Sequence, residues 1–324
     1  ATHGGRSEMT GARISSSGNG STGAYGYSKS TYISLKDSSV VTTGNNSAGT
    51  AVSARAMMKV ENSTVSTTGD SSPAIMIADG GGILIADGGS FTTSGAMSQG
   101  IYSKGDVTVT NASVNALNAK AAVLKGNNTI TLSGTTLEGK ETTDTVPYNI
   151  VLFSDEKDIG TMGTQHFDVR GGSLISHKGG MFYVTATHGK ISLNGTAITM
   201  DDPAANLITV AGNDGANGWG TPGRNGGHVE LVADNQILTG NISVDSISNI
   251  NMTLKNNSTF NGMISIVPNA EGGEKYKTNA DVFIAAGSTW NLTGNSTLTS
   301  LYNLGTINYN GYTITLADGT VMKA

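Results

Sequence analysis

"YISLKDSSVVTTG", residues 32–44, alternates apolar and polar side chains, turns at Asp37-Ser38, alternates again and stops at Gly44. The phrase returns as MKVENSTVSTTG from Met58, ITLSGTTLEG from Ile130 and MTLKNNSTFNG from Met252. Triplets such as Ile33-Ser34-Leu35, Ile191-Ser192-Leu193 and Val229-Glu230-Leu231 carry the alternation. A period of two is that of a strand with one buried face. A turn rich in Gly, Asn or Asp follows each triplet, and these residues tolerate the left-handed backbone of a tight corner.

Aligning the second inward residue of every phrase gives Leu35, Val60, Ile85, Val109, Leu132, Val169, Leu193, Leu231, Leu254, Leu292 and Leu316. Seven successive spacings fall between 23 and 25 residues, and three are 37 or 38. A fixed period of this length marks a solenoid, whereas a propeller blade needs about 40–45 residues. No stretch keeps a 3.6-residue apolar period for three turns. The expected fold is therefore all-β: a parallel β-helix of about 11–12 coils, right-handed by the rule for parallel crossovers, with three longer loops on one edge. Strands one coil apart lie about 4.8 Å from each other, so the aligned coils should span roughly 50 Å. Residues 1–23, Gly- and Ser-rich, are expected to be a linker or an irregular first coil. Residues 24–324 are expected to form one β-helix domain that ends in capping coils.

Composition narrows the function classes. Charged residues make up 13% of the 324 residues and aromatics 6%, yet Val, Ile and Thr recur at regular places, which a disordered polar chain does not show. The net charge is −5 with no basic tract, which argues against a nucleic-acid surface. The absence of cysteine removes disulfides, thiolate metal sites and Cys nucleophiles. No apolar run approaches the ~20 residues of a membrane span.

GANGWGTPGRNGGHVELVADNQILTGNISVDSISNINMTLKNNSTFNG, residues 215–262, resembles repeats of large bacterial adhesin-like surface proteins. STWNLTGNSTLTSLYNLGTINYNGYTITL, residues 288–316, is similar to the closing coils of those proteins and of autotransporter passenger domains. The resemblance implies a right-handed β-helix that is extracellular or held at a cell surface. A secretion barrel and wall-anchor signals are not seen, so the chain would be a passenger fragment. The wider β-helix group also holds polysaccharide lyases and hydrolases, and fold alone does not choose among activities.

The three long spacings place extra residues at roughly 154–165, 211–227 and 266–280, always before the aligned strand. They should leave one corner on alternate coils, and loops on a rigid edge are where recognition residues gather. SDEKDIGTMGTQ is acidic, GNDGANGWGTPGRNGG carries Trp219 and Arg224, and VPNAEGGEKYKTNA carries Tyr276 between Lys275 and Lys277. Aromatic and polar side chains together suit a sugar, a ring face stacking on the pyranose. The plainer alternative is that the loops only shield strand edges.

Positions one and three residues before each aligned residue should face solvent. On three successive coils they are His166 and Asp168, Lys190 and Ser192, then His228 and Glu230. Asp168 and Glu230, about 9–10 Å apart on this alignment, fit the two carboxylates of an inverting glycosidase. The His and carboxylate groups alternatively suit a divalent metal, although ligand distances near ~2 Å demand closer convergence than a two-coil gap provides. The third reading is a solvated strip of alternating charge. No HExxH, P-loop or spaced Ser-His-Asp set occurs, so no cofactor and no metal is expected. The sequence thus points to an adhesin-like module binding a glycan or protein through the long-loop edge. A polysaccharide-acting enzyme is the alternative, and self-association through exposed ladder ends is a third. Trp290, at an inward position, is expected to be core.

Overall fold

The computed structural model describes residues 2–144, 147–154, 163–213, 221–273 and 275–324. These residues form a right-handed parallel β-helix with no helical element among them. Two compact units divide the chain. The first holds residues 1–151, 171–179 and 199–202; the second holds 152–170, 180–198 and 203–324.

In the first unit each coil lays one strand on each of three faces. One coil runs through Thr50–Ser53, Ala56–Glu61 and Thr64–Thr67, and the chain re-enters the first face at Ile75–Ile77. Every strand pairs in parallel with its equivalent in the next coil, as in Leu35 with Val60 on the second face and Val40 with Val65 on the third. Leu35, Val60, Val109 and Leu132 are fully buried, as the alternation requires. Thr108 lies beside Thr131 on the outer surface. Residues 2–16 supply the strands Thr2–His3, Arg6–Thr10 and Arg13–Ser16, one on each face, so they are a coil in their own right.

The abundance of Ser and Thr has a structural use at the corner between the third and first faces. Ser47 N donates to Ser72 Oγ at 2.9 Å, and Ser72 N donates to Ser98 Oγ at 2.9 Å. Thr42 and Thr67 hydroxyls donate to the carbonyls of Ser47 and Ser72 at 2.7 and 2.6 Å. These buried hydroxyls satisfy backbone groups that leave the strand ladder at each turn, which would otherwise be costly orphans.

Ile85 does not take the inward slot expected of it. Ala86 pairs with Val60 and Val109 and is buried, while Ile85 faces outward beside Lys59 and Thr108. Three consecutive apolar residues, Ile83-Leu84-Ile85, fit either phase. The corner decides: a Cβ on Gly89 would stand 2.1 Å from the Ser63 carbonyl oxygen, so the two corners stack tightly and fix the register.

Beyond the third face, Glu141 is a buried carboxylate that accepts hydrogen bonds from Lys120 Nζ at 2.7 Å and from Thr143 N at 2.6 Å. Burial pushes its pKa up, but the hydrogen bonds from Lys120 and Thr143 outweigh that and hold it at about 2 rather than 4.5. A depressed carboxylate pKa contributes stability above the unfolded value and loses it as pH falls through the folded one. The stabilisation, on the order of 3 kcal/mol, is expected to disappear between about pH 4.5 and 2. Urea unfolding across that range should show a step that Glu141→Gln removes.

In the second unit the second-face ladder runs through Val169, Leu193, Ala233, Leu254 and Ile284. Leu231 therefore pairs with Ile191 and Met252, two residues upstream of the aligned position. Val229, Leu231 and Ala233 all face inward, and the small Ala233 conceals the third slot in the sequence. A slip of two keeps the same face buried, so alternation cannot detect it. Leu292 lies on the strand Thr289–Leu292 and pairs with Gly262, not with the Leu254 ladder. Leu316 pairs with Leu298 in a three-stranded end sheet closed by the antiparallel strand Val321–Met322. All three faces obey the same alternation, so a lone apolar triplet does not declare its face. Trp290 is fully buried, its ring 5.6 Å from Phe260.

Candidate functional site

The three long connections all run from a first-face strand to a second-face strand. They join Tyr148–Phe153 to Gln165–Arg170, Ile208–Val210 to His228–Asp234, and Ile264–Val267 to Ala280–Ile284. Between them, residues 186–187 and 246–248 turn the same corner tightly, giving the alternation expected from the spacings.

Buried polar side chains fasten the second and third connections at their base. Asp245 is 5% exposed, and its Oδ2 accepts from Gly212 N at 2.8 Å and from Asn269 Nδ2 at 2.7 Å. Asn279 Nδ2 donates to the carbonyls of Asp245, Ser246 and Ser248 at 3.3, 3.2 and 2.7 Å. Gly226 is obligatory here, since a Cβ would meet the Ile247 oxygen at 1.9 Å. Such fixed roots hold loop side chains in place.

Between these two connections lies a cleft of about 820 Å³, lined by Arg224, His228, Lys275, Tyr276 and Lys277 among others. His228 is central. Its ring packs against His188 on one side and Tyr276 on the other, at centroid distances of 4.6 and 4.8 Å. Asn249 Oδ1 lies 3.1 Å from His228 Nδ1, and the Tyr276 hydroxyl lies 3.5 Å from Nε2. Burial pushes the His228 pKa down; the Asn249 hydrogen bond opposes this and nearby His188 adds to it. Burial thus favours the neutral imidazole, and Asn249 Oδ1, an acceptor, suits the tautomer that carries its proton on Nδ1. A smaller cleft of about 240 Å³ opens on the other side of the stack, lined by Thr164, His188, Glu230, Asn249, Asn251 and Tyr276, among others.

Arg224 and Tyr276, expected on two of the long loops, and His228, expected on the outward strand face, line this one cleft. Trp219 lies outside the described residues. His166 and Lys190 do not reach the cleft. The strand register sets His166 beside Lys190 and Lys190 beside Glu230, whose carboxylate it binds at 2.8 Å. Asp168 lies beside Ser192, and Ser192 beside Val232. The expected opposition of Asp168 and Glu230 is therefore corrected: they differ by two coils and by two positions along the strand. Among the described residues, no three His, Cys, Asp or Glu side chains converge as a metal site. The spacings do not show His188 and Asn249 at the site, because aligning Leu231 with Leu193 sets Gly226 rather than His228 opposite His188, whereas the strands pair His188 with His228 and His228 with Asn249. The signal in the sequence is the repeated strand start, His188-Gly189-Lys190 against His228-Val229-Glu230.

No protein-family model and no curated protein sequence matches the chain. Among solved structures, the crystal structure of the autotransporter UpaB from E. coli strain CFT073 is similar. Its TM-score is 0.54 at 15% sequence identity, over 96% of this chain and 79% of that one. The shared feature is the fold. The autotransporter-passenger-like β-helix expected from residues 288–316 is thereby shown for nearly the whole chain, although at this identity nothing of UpaB's activity carries over.

Proposed function

We propose that the chain is a recognition module of a bacterial cell-surface or secreted protein, binding a glycan in the cleft between the 211–227 and 268–279 connections. One observation carries the reading: two loops rooted in a buried polar cluster hold the half-exposed Tyr276 ring and the His228 imidazole at the mouth of a roomy concavity. An aromatic face with polar neighbours is the usual platform for a pyranose, whose C–H face packs on the ring while its hydroxyls take hydrogen bonds. Recognition accounts for this arrangement better than glycoside hydrolysis, because Glu230 is ion-paired with Lys190 and Asp168 stands in another row. The surface placement rests on the β-helix shared with UpaB and on the adhesin-like sequence of residues 215–262.

Tyr276→Ala is expected to weaken glycan binding by about tenfold, the worth of one aromatic contact at a binding site. A glycan array probed with wild type and this variant, followed by titration of the hits, tests the proposal. A folded wild type that leaves the array blank, or hits insensitive to Tyr276→Ala, would remove it.

A further inference from the structure

The cleft is cationic on a chain that is acidic overall. The net charge is −5, yet Arg224, Lys275 and Lys277 all line this one concavity. No carboxylate belongs to the described residues of its lining; Glu271, in the same connection, lies outside it. The three cations make no ion pair among the described residues. Some cations elsewhere on the β-helix pair with acids, such as Lys59 with Glu61, Lys190 with Glu230 and Lys255 with Asp234, and others do not; what sets Arg224, Lys275 and Lys277 apart is that all three line one concavity. Gathering like charges with no counter-charge among the described residues is unfavourable, and an entering anion relieves it. Walls of low dielectric around a concave site strengthen that attraction.

Resting on the glycan reading above, we propose that this cleft takes an anionic saccharide, its acidic groups held by Arg224, Lys275 and Lys277 while a sugar ring lies against Tyr276. The guanidinium of Arg224 can engage a carboxylate or sulfate through two parallel hydrogen bonds, and the two ammonium groups act as point charges beside it. Both kinds of acidic group satisfy the same chemistry.

The test titrates the whole chain with polygalacturonate, dextran sulfate, neutral dextran and duplex DNA at 0.05 and 0.3 M salt. The variants are Tyr276→Ala and the triple Arg224→Ala/Lys275→Ala/Lys277→Ala. All four positions are exposed, so both variants should keep the wild-type thermal transition. One or both acidic polysaccharides should bind at least about tenfold more tightly than dextran and weaken with salt, and the triple variant should lose about tenfold or more. Whichever acidic polymer binds better identifies the group as carboxylate or sulfate. Should dextran bind as tightly as the acidic polymers, with only Tyr276→Ala mattering, the anionic inference falls while the glycan cleft stands. If no polysaccharide binds, or neither variant changes binding, the glycan cleft falls as well. Duplex DNA bound as tightly as the polysaccharides, without effect of Tyr276→Ala, would reduce the site to general polyanion attraction and overturn the proposal.

Discussion

Val169→Asp should lower the unfolding free energy by several kcal/mol, while Asp168→Ser should change it by no more than about 0.5 kcal/mol. The two residues are adjacent on the strand Gln165–Arg170, but Val169 is 1% exposed and Asp168 points outward. Val169 pairs with Leu193 in the next coil, close to the edge-to-face contact of Phe167 with Phe182. A carboxylate placed there has no hydrogen-bond donor to meet it, so it either stays ionised at high cost or binds a proton. Its pKa would rise in the folded state, and the deficit of the variant should therefore shrink as the pH is lowered. Urea denaturation of both variants at pH 7 and pH 4.5 measures this. Equal losses of stability would mean that the inward and outward phase of this strand has been misassigned.

The second large effect concerns Trp290. Trp290→Ala should cost about 3–5 kcal/mol, the range for removing a fully buried large aromatic side chain. Packing against Phe260 supplies most of that, and the indole Nε1–H donates to the Gly262 carbonyl at 2.9 Å. Trp290→Phe separates the two contributions. It keeps most of the apolar volume and leaves the carbonyl unpaired, so it should cost about 1–3 kcal/mol. In a solenoid each coil depends on its neighbours, and the loss should fray the end coils before the rest. Amide hydrogen exchange in residues 289–316 should therefore accelerate more than exchange in residues 33–67. Uniform acceleration along the chain would contradict nearest-neighbour coupling.

The coil period, the inward and outward phase of most strands and the shared corner of the long loops were all legible in the residues. Ile33, Leu35, Val60, Val107 and Val109 declare a buried face by alternation, and the inserted residues declare a corner by their fixed place before the strand. Local physical chemistry suffices for these, because a strand with one wet face must alternate and a tight turn needs Asn, Asp or Gly. Alternation has period two, however, and it is the same on every face. It cannot tell Leu231 from Ala233 as the partner of Leu193, nor assign Leu292 to its face, and a run such as Ile83-Leu84-Ile85 does not even fix the phase. Those choices belong to the stacking of corners, where a Cβ on Gly89 or Gly226 would stand inside van der Waals contact of the adjoining backbone. The cleft lies further still from the sequence. His188, His228 and Tyr276 come from three strand starts or loops, the first and last of them 88 residues apart along the chain (276 − 188). Only the coil-to-coil register and the buried bonds of Asp245, Asn269 and Asn279 bring them into one stack. Sequence by itself determined that this protein is a β-helix and where it departs from the regular coil; tertiary structure decided which side chains those departures bring together, because register is a property of neighbouring coils and not of any one of them.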